Sequence, residues 1–223
     1  MNTIFRAACL VAMSFLVAST AWAMPTADLT VTGVIRPQAC ALTLAGGGVV
    51  DLGVIPAGSL PKGRHLLLPP ARIDLAINCA HAARLALRQD DNRAASHLPG
   101  LFRLLPKTNG EYQMFGLGTV NGQKVGGYRV SMLPADVTGD GVPVDVVYRD
   151  PGSYWIKTPN GFMSTNGAVH AWSKRDDDTA APDSFRSIAA TLTVEAVLQK
   201  PESLPLEREV PLDGSLTFEL VYF

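Results

Sequence analysis

Ile188, Ala190, Leu192, Val194, Ala196 and Leu198 form the longest alternating apolar row in the chain. A period of two puts all of these side chains on one face of an extended strand, whereas a period of 3.6 would scatter them around a helix axis. A strand with one apolar face has to bury that face against a second layer, so this row alone points to a layered β protein.

Shorter rows repeat the pattern. Leu29, Val31, Gly33 and Ile35 alternate before Cys40, and residues 49–55 read as a second short strand after the Gly46-Gly47-Gly48 turn. Ile73, Leu75, Ile77 and Cys79 make a third, which continues through Leu85 and Leu87. Further strands are expected at residues 112–117, 128–133, 144–148 and 168–172, between turn-rich stretches such as NGQKVGG and TPNG. The 20 glycines and 16 prolines are dispersed along the whole length and punctuate these segments, as in an all-β domain. At the end of the sequence Leu216, Phe218, Leu220 and Tyr222 take one side of a strand and Ser215, Thr217 and Glu219 the other. Chain termini are ordinarily the least ordered part of a domain, so an apolar strand in this place is expected to have a partner.

Arg6, the apolar run over residues 7–18 and Ala21-Trp22-Ala23 have the layout of a cleaved export signal, which assigns residues 1–23 to targeting rather than to the fold. The remainder, residues 24–223, is of a size for one β domain. With Lys+Arg at 19 and Asp+Glu at 20, nothing in the charge balance favours nucleic acid as a partner. Cys9 falls within the signal, and the pair left in an exported chain, Cys40 and Cys79, reads as one disulfide between an early strand and a later one, stapling two sheets face to face.

No motif marks an enzyme. The histidines His65, His81, His97 and His170 share no metal-ligand spacing, and Gly214-Ser215 lacks the rest of a nucleophile elbow. The stretch DVTGDGVPVDVV places Asp136, Thr138, Asp140 and Gly141 where a calcium loop would have them. Val147 stands where that loop needs a bidentate acid, so a β-turn rich in Asp and Gly is the expectation. The chain is therefore expected to have no catalytic residue, no metal and no cofactor.

The export signal, the strand DLTVTGVIRPQAC, the glycine turn with GGGVVDLGVI, the second cysteine in IDLAINC and the terminal strand with Tyr222 occur in that order. Together they resemble subunits of chaperone-usher fimbriae, and more specifically the fimbrial-like DUF1120 family, over residues 27–93 and 186–223. The resemblance implies an immunoglobulin-like, pilin-type antiparallel β-sandwich with an enlarged middle region, an insertion at about residues 94–185. It further implies that one groove of the sandwich is filled by strand addition. A periplasmic chaperone would lend the strand first, and a neighbouring fimbrial subunit would replace it after passage through an outer-membrane usher.

In that scheme Leu216, Phe218, Leu220 and Tyr222 border the groove and pair with the donor. Leu29 and Val31 belong to the segment donated to a neighbour, and Cys40 and Cys79 match the family's disulfide. The protein would pass through the periplasm to a fimbrium or the cell surface and serve in adhesion. Tyr154, Trp155, Phe162 and Trp172 concentrate aromatic residues in the middle region, where Trp155 and Trp172 are candidates for stacking on a host or surface glycan, against the alternative that they form core. The contrasting expectation is a sandwich already complete in itself, acting as a binding module for a carbohydrate or protein ligand.

Overall fold

The computed structural model describes residues 27, 29–34, 40–175 and 179–223. Residues 1–23, where an export signal is expected, Ile35 and the acidic residues 176–178 lie outside the described residues. The chain divides into two units, Met1–Arg36 and Pro37–Phe223. In the first, residues 29–34 form neither helix nor strand, and Leu29, Val31 and Val34 are 89%, 86% and 82% exposed. The alternation there is real in sequence, but among the described residues no strand pairs with it, and without a ladder the segment is not a strand.

The second unit is all β, with short 3₁₀ turns. Its first strands are β1 (Cys40–Leu44), β2 (Leu66–Leu67), β3 (Ala71–Asp91), β4 (Phe115–Gly116), β5 (Thr119–Val120) and β6 (Gln123–Lys124). There follow β7 (Gly126–Ser131), β8 (Val137–Gly139), β9 (Val142–Arg149), β10 (Ile156–Lys157), β11 (Val169–Lys174), β12 (Ser184–Leu198) and β13 (Leu216–Tyr222). All pairings are antiparallel, and they build a β-sandwich.

One layer runs β1–β3–β12–β7–β4, with β8 also beside β12 and β2 at its end. The other runs β13–β3–β11–β9–β10. The strand β3, 21 residues long, belongs to both: residues 71–78 pair with β12, and residues 85–91 pair with β13. The sequence reading took this stretch as a strand and its continuation, and β3 is one unbroken element.

The long row in β12 behaves as its period requires. Ile188, Ala190, Leu192, Ala196 and Leu198 are buried, with Val194 partly so, and they meet Leu75, Ile77, Leu85 and Leu87 of β3 in one core. Val144 and Val146 of β9, Tyr128 and Val130 of β7 and Trp172 of β11 complete that core. Each buried valine, leucine or isoleucine among them contributes about 1.5–3 kcal/mol by leaving water. The middle region is thus half of the sandwich rather than an appendage, since β7, β8, β9 and β11 all come from it.

Two further expectations are corrected. Residues 49–55 alternate, with Val50, Leu52 and Ile55 packed on the core, yet they enter no ladder among the described residues, and the stretch turns at Gly53, which has φ 72° and donates its N–H to the Asp51 carboxylate at 2.8 Å. The disulfide does not staple sheet to sheet: Cys40 and Cys79 are direct cross-strand neighbours in the β1–β3 pair, with Cα atoms 4.1 Å apart.

Candidate functional site

The site begins with a pairing that is one-sided. Over seven positions, from Leu216 opposite Asp91 to Tyr222 opposite Leu85, β13 pairs with β3, and no other strand among the described residues pairs with it. A sheet edge of this kind presents a row of unpaired N–H and C=O groups to any extended segment that approaches.

The inner face of β13 is also incompletely covered. Leu216, Phe218 and Leu220 pack against the main core yet remain half-buried, while Thr217 and Glu219 on the other face are exposed. Tyr222 is 43% exposed. Leu42 and Leu44 of β1 and Val50, Leu52, Ile55 and Leu60 of the following segment share this condition, packed on the same core but only partly buried. Elsewhere the core residues of β3, β9, β11 and β12 are closed off almost completely. The strand β13 therefore carries core-facing side chains and a free backbone edge at once, and residues 49–55 add core-facing side chains that are only partly covered.

The start of β13 is fastened by the turn that follows β3. After β3, the Asp91 carboxylate accepts the backbone N–H groups of Arg93 and Gly116, both at 2.8 Å. The Asn92 backbone N–H donates to the Ser215 carbonyl at 3.0 Å, and its side-chain amide donates to the Ser215 and Thr217 hydroxyls at 3.0 and 2.9 Å. Arg93 grips the Asp213 carboxylate with Nε and a terminal nitrogen at 2.8 and 3.0 Å. That bidentate bond holds the Asp213 carboxyl below its ordinary range. The signal in the sequence was DNR at the end of an apolar strand, but its partners lie about 120 positions downstream. On the outer face, Arg88 pairs with Glu219 across the same two strands.

The far end of β13 meets β1. The Tyr222 hydroxyl oxygen accepts the Cys40 backbone N–H at 3.1 Å, next to the disulfide. The Phe223 N–H donates to the Arg84 carbonyl at 3.2 Å.

Of the proposed donor residues, Leu29 and Val31 are exposed in the first unit. The two tryptophans have separate environments. Trp172 is 1% exposed in the main core, where no glycan reaches it, so its place as a ligand aromatic is corrected to a packing one. Trp155 covers Ala86, Val147 and Ala171 on the outer face of the second layer. Arg149 lies 4.8 Å from its ring centroid, and Phe223 stands edge-on at 5.6 Å.

The stretch that invited a calcium reading is a hairpin. Asp140 and Gly141, at φ 51° and 80°, turn the chain between β8 and β9, both in the left-handed region that a two-residue hairpin requires. One oxygen of the Asp140 carboxylate accepts the backbone N–H groups of Arg186 and Ser187, which ties this turn to the start of β12. Among the described residues no group of three or more His, Cys, Asp or Glu is arranged to hold a metal.

Residues 29–101 match the family described as a protein of unknown function, DUF1120. The match takes in residues 29–34, both cysteines, residues 49–55 and all of β3, and stops before β4. No curated protein matches the chain.

Proposed function

We propose that this protein is an exported, fimbrial-like structural subunit with an immunoglobulin-like, pilin-type sandwich, and that it works by strand exchange in cell adhesion. The free edge of β13 would receive an extended segment, first from a periplasmic chaperone and then from a neighbouring subunit assembled through an outer-membrane usher. The observation that carries this reading is the one-sided pairing of β13 together with the half-buried row Leu216, Phe218 and Leu220. A flat apolar edge is a liability that proteins normally cover or charge, and here the charge on β13, Glu219, lies on the outer face. An incoming strand with alternating apolar residues would satisfy the edge by main-chain hydrogen bonds and close the core with its side chains. The exposed residues Leu29 and Val31 give this chain a segment of that composition to offer in turn.

The test is to express residues 24–223 in an oxidising periplasm without a chaperone and to record size and thermal unfolding, with and without a peptide of residues 24–36. A subunit that aggregates or is degraded, and that the peptide rescues, is the expected result. Leu220→Asp should then abolish capture, because it places a carboxylate in the half-buried row. A soluble monomer with one cooperative melt, indifferent to the peptide, would sink strand exchange and leave a self-complete binding module as the reading.

A further inference from the structure

The outer face of the second layer carries two arginines without a counter-ion. On β9 the core takes Val144 and Val146, which turns Asp145, Val147 and Arg149 outward; on β3 it takes Leu85 and Leu87, which turns Arg84, Ala86 and Arg88 outward. Other cations of this face are already paired, Arg88 with Glu219 and Lys157, opposite Val147, with Asp145 at 2.9 Å. Among the described residues the side chains of Arg84 and Arg149 make neither an ion pair nor a hydrogen bond.

Both arginines flank one ring. The β13–β3 register brings Tyr222 opposite Leu85, and the Phe223 N–H donates to the Arg84 carbonyl, so Phe223 stands opposite Arg84 on the same face of the pair. From β9, with β11 between, Arg149 reaches the same place: its guanidinium carbon lies 5.6 Å from the Phe223 ring centroid and 4.8 Å from that of Trp155. The two rings meet edge to face, with centroids 5.6 Å apart and planes at 87°. Trp155 is seated on Ala86, Val147 and Ala171, so the corner that holds Arg149 is fixed by packing. A guanidinium held against ring faces keeps its in-plane N–H groups to give, and here the fold uses none of them. The corner is also open, since Phe223 is 53% exposed.

We propose that Arg149, Trp155, Phe223 and Arg84 form a binding site for a saccharide that carries a carboxylate, a uronate being the simplest case. A carboxylate fits the fork of a guanidinium through two parallel hydrogen bonds, and the C–H face of a pyranose packs on the exposed aromatic ring beside it. Arg84, across that ring, adds a second positive charge. A neutral sugar would leave both guanidinium groups unanswered. An anionic bilayer is disfavoured by count, because attachment of that kind takes clusters of about four to eight cations, and the remaining charges of this face cancel in pairs. The site goes beyond strand exchange: it lies on the outer face of the sheet, whereas an incoming strand takes the edge.

The experiment is an NMR titration of residues 24–223, alone or with the peptide of residues 24–36 bound where the protein needs it, following the Trp155 indole N–H and the arginine Nε–H signals. The probes are methyl glucuronoside, methyl glucoside, sodium sulfate and phosphatidylglycerol vesicles. Saturating shifts at Trp155 and Arg149 are expected with methyl glucuronoside, at an apparent Kd about tenfold or more below that for methyl glucoside. Arg149→Gln should raise that Kd about tenfold and Arg84→Gln about threefold, with the rest of the spectrum unchanged. Arg88→Gln removes a cation that is already paired and should leave it within about twofold. No saturation with glucuronoside, an equal response to glucoside, sulfate bound as tightly as glucuronoside, vesicle binding in its place, or an Arg88→Gln loss as large as that of Arg149→Gln would each overturn the assignment. The signals followed lie on the outer face and the peptide is read at the edge, so failure here and failure of strand exchange are distinguishable.

Discussion

The hydroxyl of Tyr222 holds the backbone N–H of Cys40, 182 positions away in the chain, at 3.1 Å. Both residues flank β3: Cys40 lies opposite Cys79, and Tyr222 lies opposite Leu85. Since β1 and β13 are each antiparallel to β3, they run in the same direction. Arg84 lies opposite Ser184 of β12 and accepts the Phe223 N–H, so β13 takes the side of β3 away from β12, the side β1 also takes. The two strands thus follow one another along a single edge, and the tyrosine closes the joint between them.

Removing that hydroxyl tests the joint. Tyr222→Phe keeps the ring and deletes the acceptor, leaving an exposed N–H that water can satisfy. A loss of about 0.5–1 kcal/mol in urea unfolding is expected, with faster hydrogen exchange at Cys40. Exchange at Cys40 equal to that of the unsubstituted protein would mean that the bond is not kept in solution.

The disulfide acts on the same edge. It closes a separation of 39 residues, and its loss should cost about 2–5 kcal/mol, because β1 then depends on its five-residue ladder alone. Melting of the Cys40→Ala/Cys79→Ala double variant, compared with the oxidised protein, gives the number directly. The ladder of β1 should lose exchange protection before that of β12, which is paired on both sides.

At the other end of β13 the anchor is Asn92. Asn92→Ala removes the amide donor shared by Ser215 and Thr217 without touching the core. The variant should be about 1 kcal/mol less stable, and amide exchange over residues 216–218 should quicken by about tenfold while exchange over residues 188–192 is unchanged. Uniform acceleration over both stretches would show that Asn92 stabilises the whole sandwich rather than the start of this strand.

What the sequence could say depended on whether the information was local. Period-two alternation made β12, β13 and both halves of β3 legible, because burial of one face leaves its mark in the residues themselves. The same mark misled at Leu29, Val31 and at residues 49–55, since alternation reports which side chains could face a core and not whether a backbone partner exists. Cysteine counting gave the Cys40–Cys79 bond, but register decides whether such a bond lies within a sheet or between sheets, and register is set by pairings the cysteines do not encode. Trp155 and Trp172 were alike as letters, yet one covers small residues on an outer face and the other fills the core. The hydrogen bonds by which Asn166 holds Asp150 and Thr165 holds the Tyr112 carbonyl run between separate loops, and no spacing rule covers that.

The last prediction concerns acid. His170 is 1% exposed, and burial pushes its imidazole down to about 4, against which the Phe162 carbonyl and Asp150 pull weakly upward. Its Nε2 lies 3.1 Å from the Phe162 carbonyl, so that nitrogen carries the proton of the neutral ring, and Nδ1 is left as an acceptor with no partner among the described residues. A second proton on Nδ1 would charge the core. The folded value lies below the ordinary 6.5, so as pH falls from neutrality the unfolded chain takes up its proton first. The contribution to stability is therefore complete above pH 6.5, declines as pH falls from there to 4, and is gone below, an overall loss of about 3 kcal/mol. Carboxylates add their own titration toward the acid end of this window, so the comparison is with His170→Gln, whose amide can still donate to Phe162 and has no charged form. The difference in unfolding free energy between the two proteins should change across pH 6.5 to 4 and be flat between pH 7 and 8. A difference that stays constant from pH 8 to 4 would mean that the ring takes up its proton with equal ease folded and unfolded, and that water reaches it.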